Sequence, residues 1–531
     1  MLIAGLLPAQ QADFVGSGAC SGCHRGIYES YMRTGMGRSM RPASNLNLPA
    51  PAELGHARLD RRFRVFRQDK DLYQSEYALD AAGNRVFEDT HKLEFAIGSG
   101  VNGYSFAVRR GNYLFEAPLS YYAKSARWDL SPGYESVDLG FSRPIAATCV
   151  GCHSGRARLI AGRDGLYDDP PFDELAIGCE NCHGPGALHV AQVKPGTIVN
   201  PARLPARLAE EICVICHQRG DARVLEPGKV LSDFRPGMWS NEVLAIFKLP
   251  SSQAKRSDLL EHHTAMRASR CFGASGGKLS CLTCHDPHVT PERGEAAKYY
   301  RSKCLTCHTD VSCGLTQSAR QQRAANDCTA CHMPKRDVTV VSHSELTNHR
   351  VPARPGQEPV RDSSSAQDLI LVNGPLDPTP VPALTRLLAY GQVAAQRPDF
   401  EPRYLALLNQ LSRTQPDDPL VLAALGKKAM FDRDAEAFAR ARKYLETAIE
   451  KGSTAPSTFE DLAEILARAG PREQAITVLE KGLALSPYSP ELYKSLARTY
   501  GALGRRAEAR KTLVRYLELF PEDDTARRLL R

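Results

Sequence analysis

Three textures of apolar and polar residues follow one another along the chain. Between residues 56 and 145 they alternate. Phe63 and Val65 flank an arginine, Tyr104, Phe106 and Val108 recur at every second position, and Gly83-Asn84 and Arg110-Gly111-Asn112 interrupt the runs. A period of two with such breaks predicts half-buried strands joined by turns. From 146 to 350 no period persists, and short helical runs are cut by Gly and Pro. The last part is helical and repeats itself. With Pro456 and Pro490 in register, Phe459 aligns with Tyr493, Ala463 with Ala497, Leu466 with Tyr500, Gly470 with Gly504, Ala475 with Ala509, Leu479 with Leu513 and Pro487 with Pro521. Each 34-residue unit reads as two helices, with small residues where they touch and a proline ending the second. A weaker copy spans Leu422–Ile449, with Ala441, Leu445 and Ala448 on its second helix, and Leu384–Leu411 adds another pair.

Composition narrows the function classes. The 531 residues carry 68 Lys and Arg against 60 Asp and Glu, an excess of eight with no compact basic run. That is thin for a nucleic-acid binder. No stretch approaches the roughly 18 apolar residues of a spanning helix, so no integral membrane segment is expected. The apolar start, Met1 to Ala9, with small residues near Ala9 and no basic flank, reads as the remnant of a signal peptide over residues 1–13.

Cysteine placement decides the chemistry. Fourteen of the 16 cysteines form seven Cys-x-x-Cys pairs, each followed at once by histidine. The motifs are Cys20-Cys23-His24, Cys149-Cys152-His153, Cys179-Cys182-His183, Cys213-Cys216-His217, Cys281-Cys284-His285, Cys304-Cys307-His308 and Cys328-Cys331-His332. Two thiols at that spacing reach both vinyl groups of a haem, and the adjoining imidazole comes under the iron. Zinc sites and thioredoxin-like centres also use CxxC, but neither requires the contiguous histidine. Histidine is only 15 of 531 residues, so chance would follow all seven pairs at odds of about 10⁻¹¹. Seven covalently attached haems c are expected.

The expected fold is therefore an α-rich multihaem cytochrome c domain over residues 14–350, with little regular structure and a β-rich insertion at 56–145. A linker at 351–368 precedes an all-α solenoid over 369–531. The large-small-large-Gly-Ala-large-Pro spacing of that solenoid is the tetratricopeptide pattern.

The residues flanking the motifs carry a resemblance. Cys179-Glu-Asn-Cys182-His183-Gly-Pro-Gly-Ala-Leu-His189, Cys281-Leu-Thr-Cys284-His285-Asp-Pro-His288 and Cys328-Thr-Ala-Cys331-His332-Met-Pro resemble exported multihaem cytochromes c related to the nitrifier tetrahaem cytochrome and hydroxylamine oxidoreductase. Phe14-Val-Gly-Ser-Gly-Ala-Cys20 and Arg127-Trp-Asp-Leu-Ser-Pro-Gly133-Tyr look like the branch in which tetratricopeptide repeats follow the haem domain. The resemblance implies export to the periplasm or cell surface and electron transfer through a packed haem array.

Eight histidines remain after the seven proximal ones, near one per iron. His189 and His288 sit where the resemblance places distal ligands, and His343 and His349, after the last motif, look like two more. His91, His262 and His263 are weaker candidates; the last two diverge by about 100° on a helix and do not suit one iron. His56 reads as a surface residue. Relatives carry a histidine soon after the first motif where this chain has Met36 and Met40. Either Met36, ahead of Met40, ligates the first haem and raises its potential, or both methionines pack on the porphyrin. Cys271 and Cys313, outside the motifs, are candidates for a disulfide, with a thiolate ligand or free thiols as alternatives.

An electron carrier docked to a redox-partner protein through its repeats is the leading reading, without a catalytic residue. The competing one is an oxidoreductase with one open haem acting on a small nitrogen or sulfur compound. No motif exchanges its histidine for the lysine that marks the pentahaem nitrite reductases.

Overall fold

The computed structural model describes residues 13–160, 162–163, 165–250, 261–292, 294–335, 347–354, 368–375, 380–432 and 435–530. Most of the expected signal remnant and residues 355–367 of the expected linker lie outside them.

Antiparallel strands carry the alternating stretch. Ala52–His56, Arg61–Gln68, Asp71–Leu79 and Arg85–Lys92 pair in chain order into one sheet. A second sheet runs in the order Met40–Pro42, Phe95–Ile97, Gly103–Arg110, Leu119–Tyr122, Arg127–Leu130, with Tyr113–Glu116 also on Gly103–Arg110. The period of two works as expected: Phe63, Val65, Phe106 and Val108 share one buried core with Leu72, Phe115 and Trp128. The Gly83-Asn84 turn forms because the Asp80 carboxylate accepts from the Ala82 and Asn84 amides at 2.9 and 2.8 Å, with Gly83 at φ 84°. Strands also precede residue 56. Met40–Pro42 pairs with Phe95–Ile97, a long-range partnership that no local period reveals.

The motif-bearing region is built of short helices, among them Ala147–His153, Ala206–His217, Ala296–Cys304 and Cys328–His332. Two unforeseen hairpins, Arg156–Leu159 with Tyr167–Glu174 and Ala222–Leu225 with Leu244–Lys248, lie among them. Among the described residues, no apolar side chain between Met266 and Leu369 is buried.

The C-terminal part is the expected helical solenoid. Helices Ala383–Ala394 and Glu401–Thr414, Pro419–Ala429 and Ala435–Glu450, Pro456–Ala469 and Arg472–Leu485, and Pro490–Ala502 and Arg506–Leu519 form successive pairs. Pro456 and Pro490 occupy first-turn positions, where a missing N–H costs nothing. The small residues mark close approach: a Cβ on Gly426 would stand 2.6 Å from Leu445 Cγ, and one on Gly482 3.0 Å from Phe459 Cβ.

The solenoid packs on the rest of the chain at both ends. Ile370–Leu371 is not helical; it adds a third strand to the Ala222–Leu225/Leu244–Lys248 hairpin. Helix Ala383–Ala394 lies on that sheet, with Tyr390 and Val393 in one core with Val224 and Phe247. At the far end Tyr488 packs against the β core, and Arg110 donates to the Leu519 carbonyl at 2.8 Å. Arg61, only 6% exposed, is the pivot. Its guanidinium meets Asp138 at 2.6 Å, Asp524 at 3.0 Å and Glu76 at 3.4 Å, and donates to the Glu522 carbonyl at 2.8 Å.

Arg61→Met would leave the buried Glu76 and the half-buried Asp138 without their cationic partner, a loss of about 3–5 kcal/mol, and thermal unfolding should show the β region and solenoid melting apart and earlier. A second prediction concerns pH. Burial, aided by the Asp138 and Asp89 carboxylates and opposed by Arg110, pushes the Glu522 carboxyl up to about 7. Folding therefore holds a proton that the unfolded chain releases above about 4.5. The docked form is then most stable below that value and loses stability as pH rises towards 7. Melting curves between pH 5 and 8 should show this decline, and Glu522→Gln should flatten it.

Candidate functional site

The motif helices surround a cavity of about 2920 Å³, some three times the upper end of the roughly 300–1000 Å³ usual for one small ligand. Its wall includes His153, His217, His285, His308 and His332 together with motif cysteines and, from outside the motifs, His262 and His349. Helices Arg270–Ala274, Cys281–Cys284, Ala296–Cys304, Gln317–Ala324 and Cys328–His332 around it bury no residue of their own. Ordering a chain without burial costs about 1–2 kcal/mol per residue. An apolar group of another kind must supply the core.

Imidazoles face one another in four pairs, of which His217–His262 and His285–His349 border this cavity. The His24 and His189 ring centroids are 6.5 Å apart with planes 14° from parallel, and those of His183 and His288 6.0 Å apart with planes 21° from parallel. His217 faces His262 at 5.7 Å and His285 faces His349 at 6.2 Å. Two metal–nitrogen bonds of about 2.0–2.1 Å plus the ring radii require about 6.3 Å. The four separations match that span, whereas stacking alone would bring the rings closer. His262 and His349 do approach to 4.2 Å, joining the fourth and fifth motifs through their facing imidazoles.

Hydrogen bonds fix which nitrogen points inward. His183 Nδ1 donates to the Val199 carbonyl at 2.9 Å, His332 Nδ1 to the Pro352 carbonyl at 2.9 Å and His349 Nδ1 to the Thr347 carbonyl at 2.8 Å. His288 Nδ1 lies 3.1 Å from Asp286 Oδ1. Thr197 Oγ1 donates to backbone carbonyls and accepts from His189 Nδ1 at 3.1 Å. With Nδ1 protonated, Nε2 keeps the lone pair a metal needs. Burial also pushes the pKa of His183, His217 and His285 down, with neighbouring imidazoles adding to it. All three are therefore held neutral, the ligating form.

The residues between the cysteines brace the site. Glu180, inside the third motif, accepts from the Val15, Gly16 and Gly186 amides at 3.0, 2.7 and 2.7 Å, and Asn181 donates to the Gly155 carbonyl at 2.8 Å. Glu180, Thr197 and Val199 escaped sequence reasoning; only the presence of Glu180 within a motif signals it.

Thiols of different motifs also meet. Cys20 lies near Cys179, Cys152 near Cys216, Cys213 near Cys281 and Cys304 near Cys328, each close enough to shift its partner's titration. Cys182 lies within electrostatic range of Cys216, and Cys284 of Cys307. These proximities connect all seven motifs.

Several expected ligands go elsewhere. The group across from His24 is His189, not the thioether of Met36; Met36 sits on the cavity wall, in a turn tied by Ser39 Oγ to the His153 carbonyl at 2.8 Å. Met40, on the strand Met40–Pro42, is buried in one core with Ala107, Leu114 and Val150. His91, on an edge strand, has its ring 4.6 Å from Phe141 and its Nε2 2.9 Å from Asp89. His263 Nε2 lies 3.1 Å from Glu210, while its neighbour His262 faces His217, the divergence expected of adjacent helical residues. Cys271 and Cys313 are both free thiols. The expected bridge between them is therefore absent, and Cys271 lies within electrostatic range of Cys284 and Cys307. His343 lies outside the described residues.

Residues 274–312 match the doubled CXXCH motif family, and residues 466–531 match the tetratricopeptide repeat family. The chain is a haem c protein with tetratricopeptide repeats. No curated protein matches it. Among solved structures, one of MamA is similar at 18% identity over 26% of this chain and 80% of that one, with a TM-score of 0.24. TTC0263, a thermophilic TPR protein of Thermus thermophilus, is similar at 19% identity over 28% and 88%, with a TM-score of 0.22.

The donor set fits haem c: paired thiols, an adjoining imidazole, and in four cases a second imidazole at the right span. In a host unable to attach haem, residues 268–292, 294–335 and 347–354 should exchange amide hydrogens freely while the β core stays protected. Equal protection of both would mean that haem is not the missing core.

Proposed function

We propose that the protein is an exported seven-haem c-type cytochrome that passes electrons along its haem array, in the periplasm or at the cell surface. The four facing imidazole pairs carry this reading. Two histidines close both axial positions of an iron, which suits electron transfer with little change in coordination rather than substrate binding. The thiol proximities, running from the first motif through the third, the second and fourth, the fifth and on to the sixth and seventh, support short hops between neighbouring haems. The motif flanks support kinship with the nitrifier tetrahaem cytochrome and hydroxylamine oxidoreductase.

In this reading His24, His153, His183, His217, His285, His308 and His332 are proximal ligands, and His189, His288, His262 and His349 close the first, third, fourth and fifth sites. Haem, when bound, supplies the redox couple. The protein's own groups hold each imidazole in one tautomer and exclude water. The repeats serve two purposes: their two ends brace the haem region, and the remaining helical surface is the docking site for a redox-partner protein, the usual role of such helix pairs.

The intact mass of mature protein should show seven haem additions. His189→Met should raise one reduction potential and leave the others nearly unchanged, because a thioether favours the ferrous state more than imidazole does. Met36→His should not move the potential of the first-motif haem. If it does, and His189→Met does not, the pairing of His24 with His189 is wrong.

A further inference from the structure

Fixed charge is distributed unequally along the row of motifs. At the first and third it is negative and buried. Glu180, between the two cysteines of the third motif, is only 2% exposed. Its oxygens accept from the Val15 amide at 3.0 and 3.2 Å, from Gly16 at 2.7 Å and from Gly186 at 2.7 Å. All of these donors are amides, the pairing that suits a carboxylate anion, and none carries a positive charge to balance it. Val15 and Gly16 lead into the first motif, and Glu180 lies within electrostatic range of Cys20. Glu174, which accepts from the Ser17 amide at 3.2 Å, lies within that range too. Because Cys20 is itself near Cys179, one buried anion acts on two neighbouring sites.

The opposite end is cationic. Over residues 294–335 and 347–354, eight Lys and Arg stand against Glu295, Asp310 and Asp327. Arg301 and Arg320 share the one Asp310 carboxylate, and Arg323, Arg350 and Arg354 line the cavity with His308 and His332. Cys307 and His308 are exposed. Every haem c brings the same propionates, so a difference between the two ends comes from the protein. An anion near iron favours the ferric state, and a cation favours the ferrous one. At about 10 Å and an effective dielectric constant of about 20, one unit charge changes the ferric-to-ferrous ratio roughly tenfold.

We propose that this asymmetry gives the array a direction: the first and third haems form its low-potential end, held there by Glu180, and the sixth and seventh its high-potential end. Electrons from a reduced donor protein enter beside the N-terminal segment. They pass to an oxidised acceptor protein at the sixth motif, where Cys307 and His308 meet solvent. Each hop oxidises one ferrous iron and reduces the next ferric one, with no proton or group transferred. This direction rests on the seven-haem carrier reading, to which it adds polarity.

The test is a spectroelectrochemical titration of holoprotein whose seven haems are first verified by intact mass. Glu180→Gln should raise the two lowest couples, moving their ferric-to-ferrous ratio at a fixed potential about tenfold towards ferrous, and leave the others nearly unchanged. The sign separates charge from scaffolding. A loosened N-terminal segment would admit water, which favours the ferric ion and lowers those couples. Arg323→Gln with Arg350→Gln should lower the highest couples and leave the lowest in place. Cys304→Ser with Cys307→Ser removes the sixth haem and should delete a couple from the upper end; it decides the matter if Glu180→Gln does not mature. Low couples that fall or stay still in Glu180→Gln, or a low couple lost with the sixth haem, would overturn the direction and leave the carrier reading standing. Fewer than seven haems in the wild-type protein would sink that reading, and the direction with it.

Discussion

In the proposed reading, burial of haem between imidazoles is the interaction on which the rest of this molecule depends. From Met266 to Leu369 the described chain buries no apolar side chain, yet it folds back on itself through five short helices and brings His349 to within 6.2 Å of His285. Backbone ordering at about 1–2 kcal/mol per residue has no side-chain core to offset it there. Porphyrin surface and iron–nitrogen bonds are the available source. The same need accounts for the hydrogen bonds behind the imidazoles: a ring that must meet iron on one side is pinned on the other by Val199, Thr197, Pro352 or Thr347.

A region whose interior is cofactor has little rigidity of its own before the cofactor arrives, and the two conventional cores flank it. The β sheets contribute Phe63, Phe106 and Phe115, the solenoid Phe459, Leu466 and Leu479. They are joined directly through Arg61 and through Tyr488, and again through the strand Ile370–Leu371. The buried guanidinium is a specific fastening because three carboxyl groups converge on it: any shift of the solenoid end would take Asp524 away and leave the buried cation short of a partner. The solenoid is thus both scaffold and, in the proposed function, docking surface.

How much of this was legible follows from the range of each interaction. The CxxCH motifs are local chemistry, and contiguity alone points to seven attachment points, one pair of them within the matched doubled motif. The strands around Phe63 and Phe106 and the 34-residue helix pairs are local periods, and both appeared where the patterns put them. What escaped depends on distant chain segments meeting. His24 and His189 are far apart in sequence, so Met36, near in sequence and chemically suitable, looked the better partner. Ile370–Leu371 is too short to show a period and is a strand only because Phe247 and Lys248 offer an edge. Cys271 and Cys313 made a plausible pair on composition, but both are free thiols. Adjacent His262 and His263 were separable in principle by helical geometry, though only the position of Glu210 decided which one faces the cavity.

The most direct test is the iron positions themselves, from anomalous diffraction at the iron edge on crystals of the mature holoprotein. The account predicts seven iron peaks, four of them midway between His24 and His189, His183 and His288, His217 and His262, and His285 and His349. Fewer than seven peaks, or an iron beside His24 whose sixth ligand is Met36 while His189 stands apart, would contradict it.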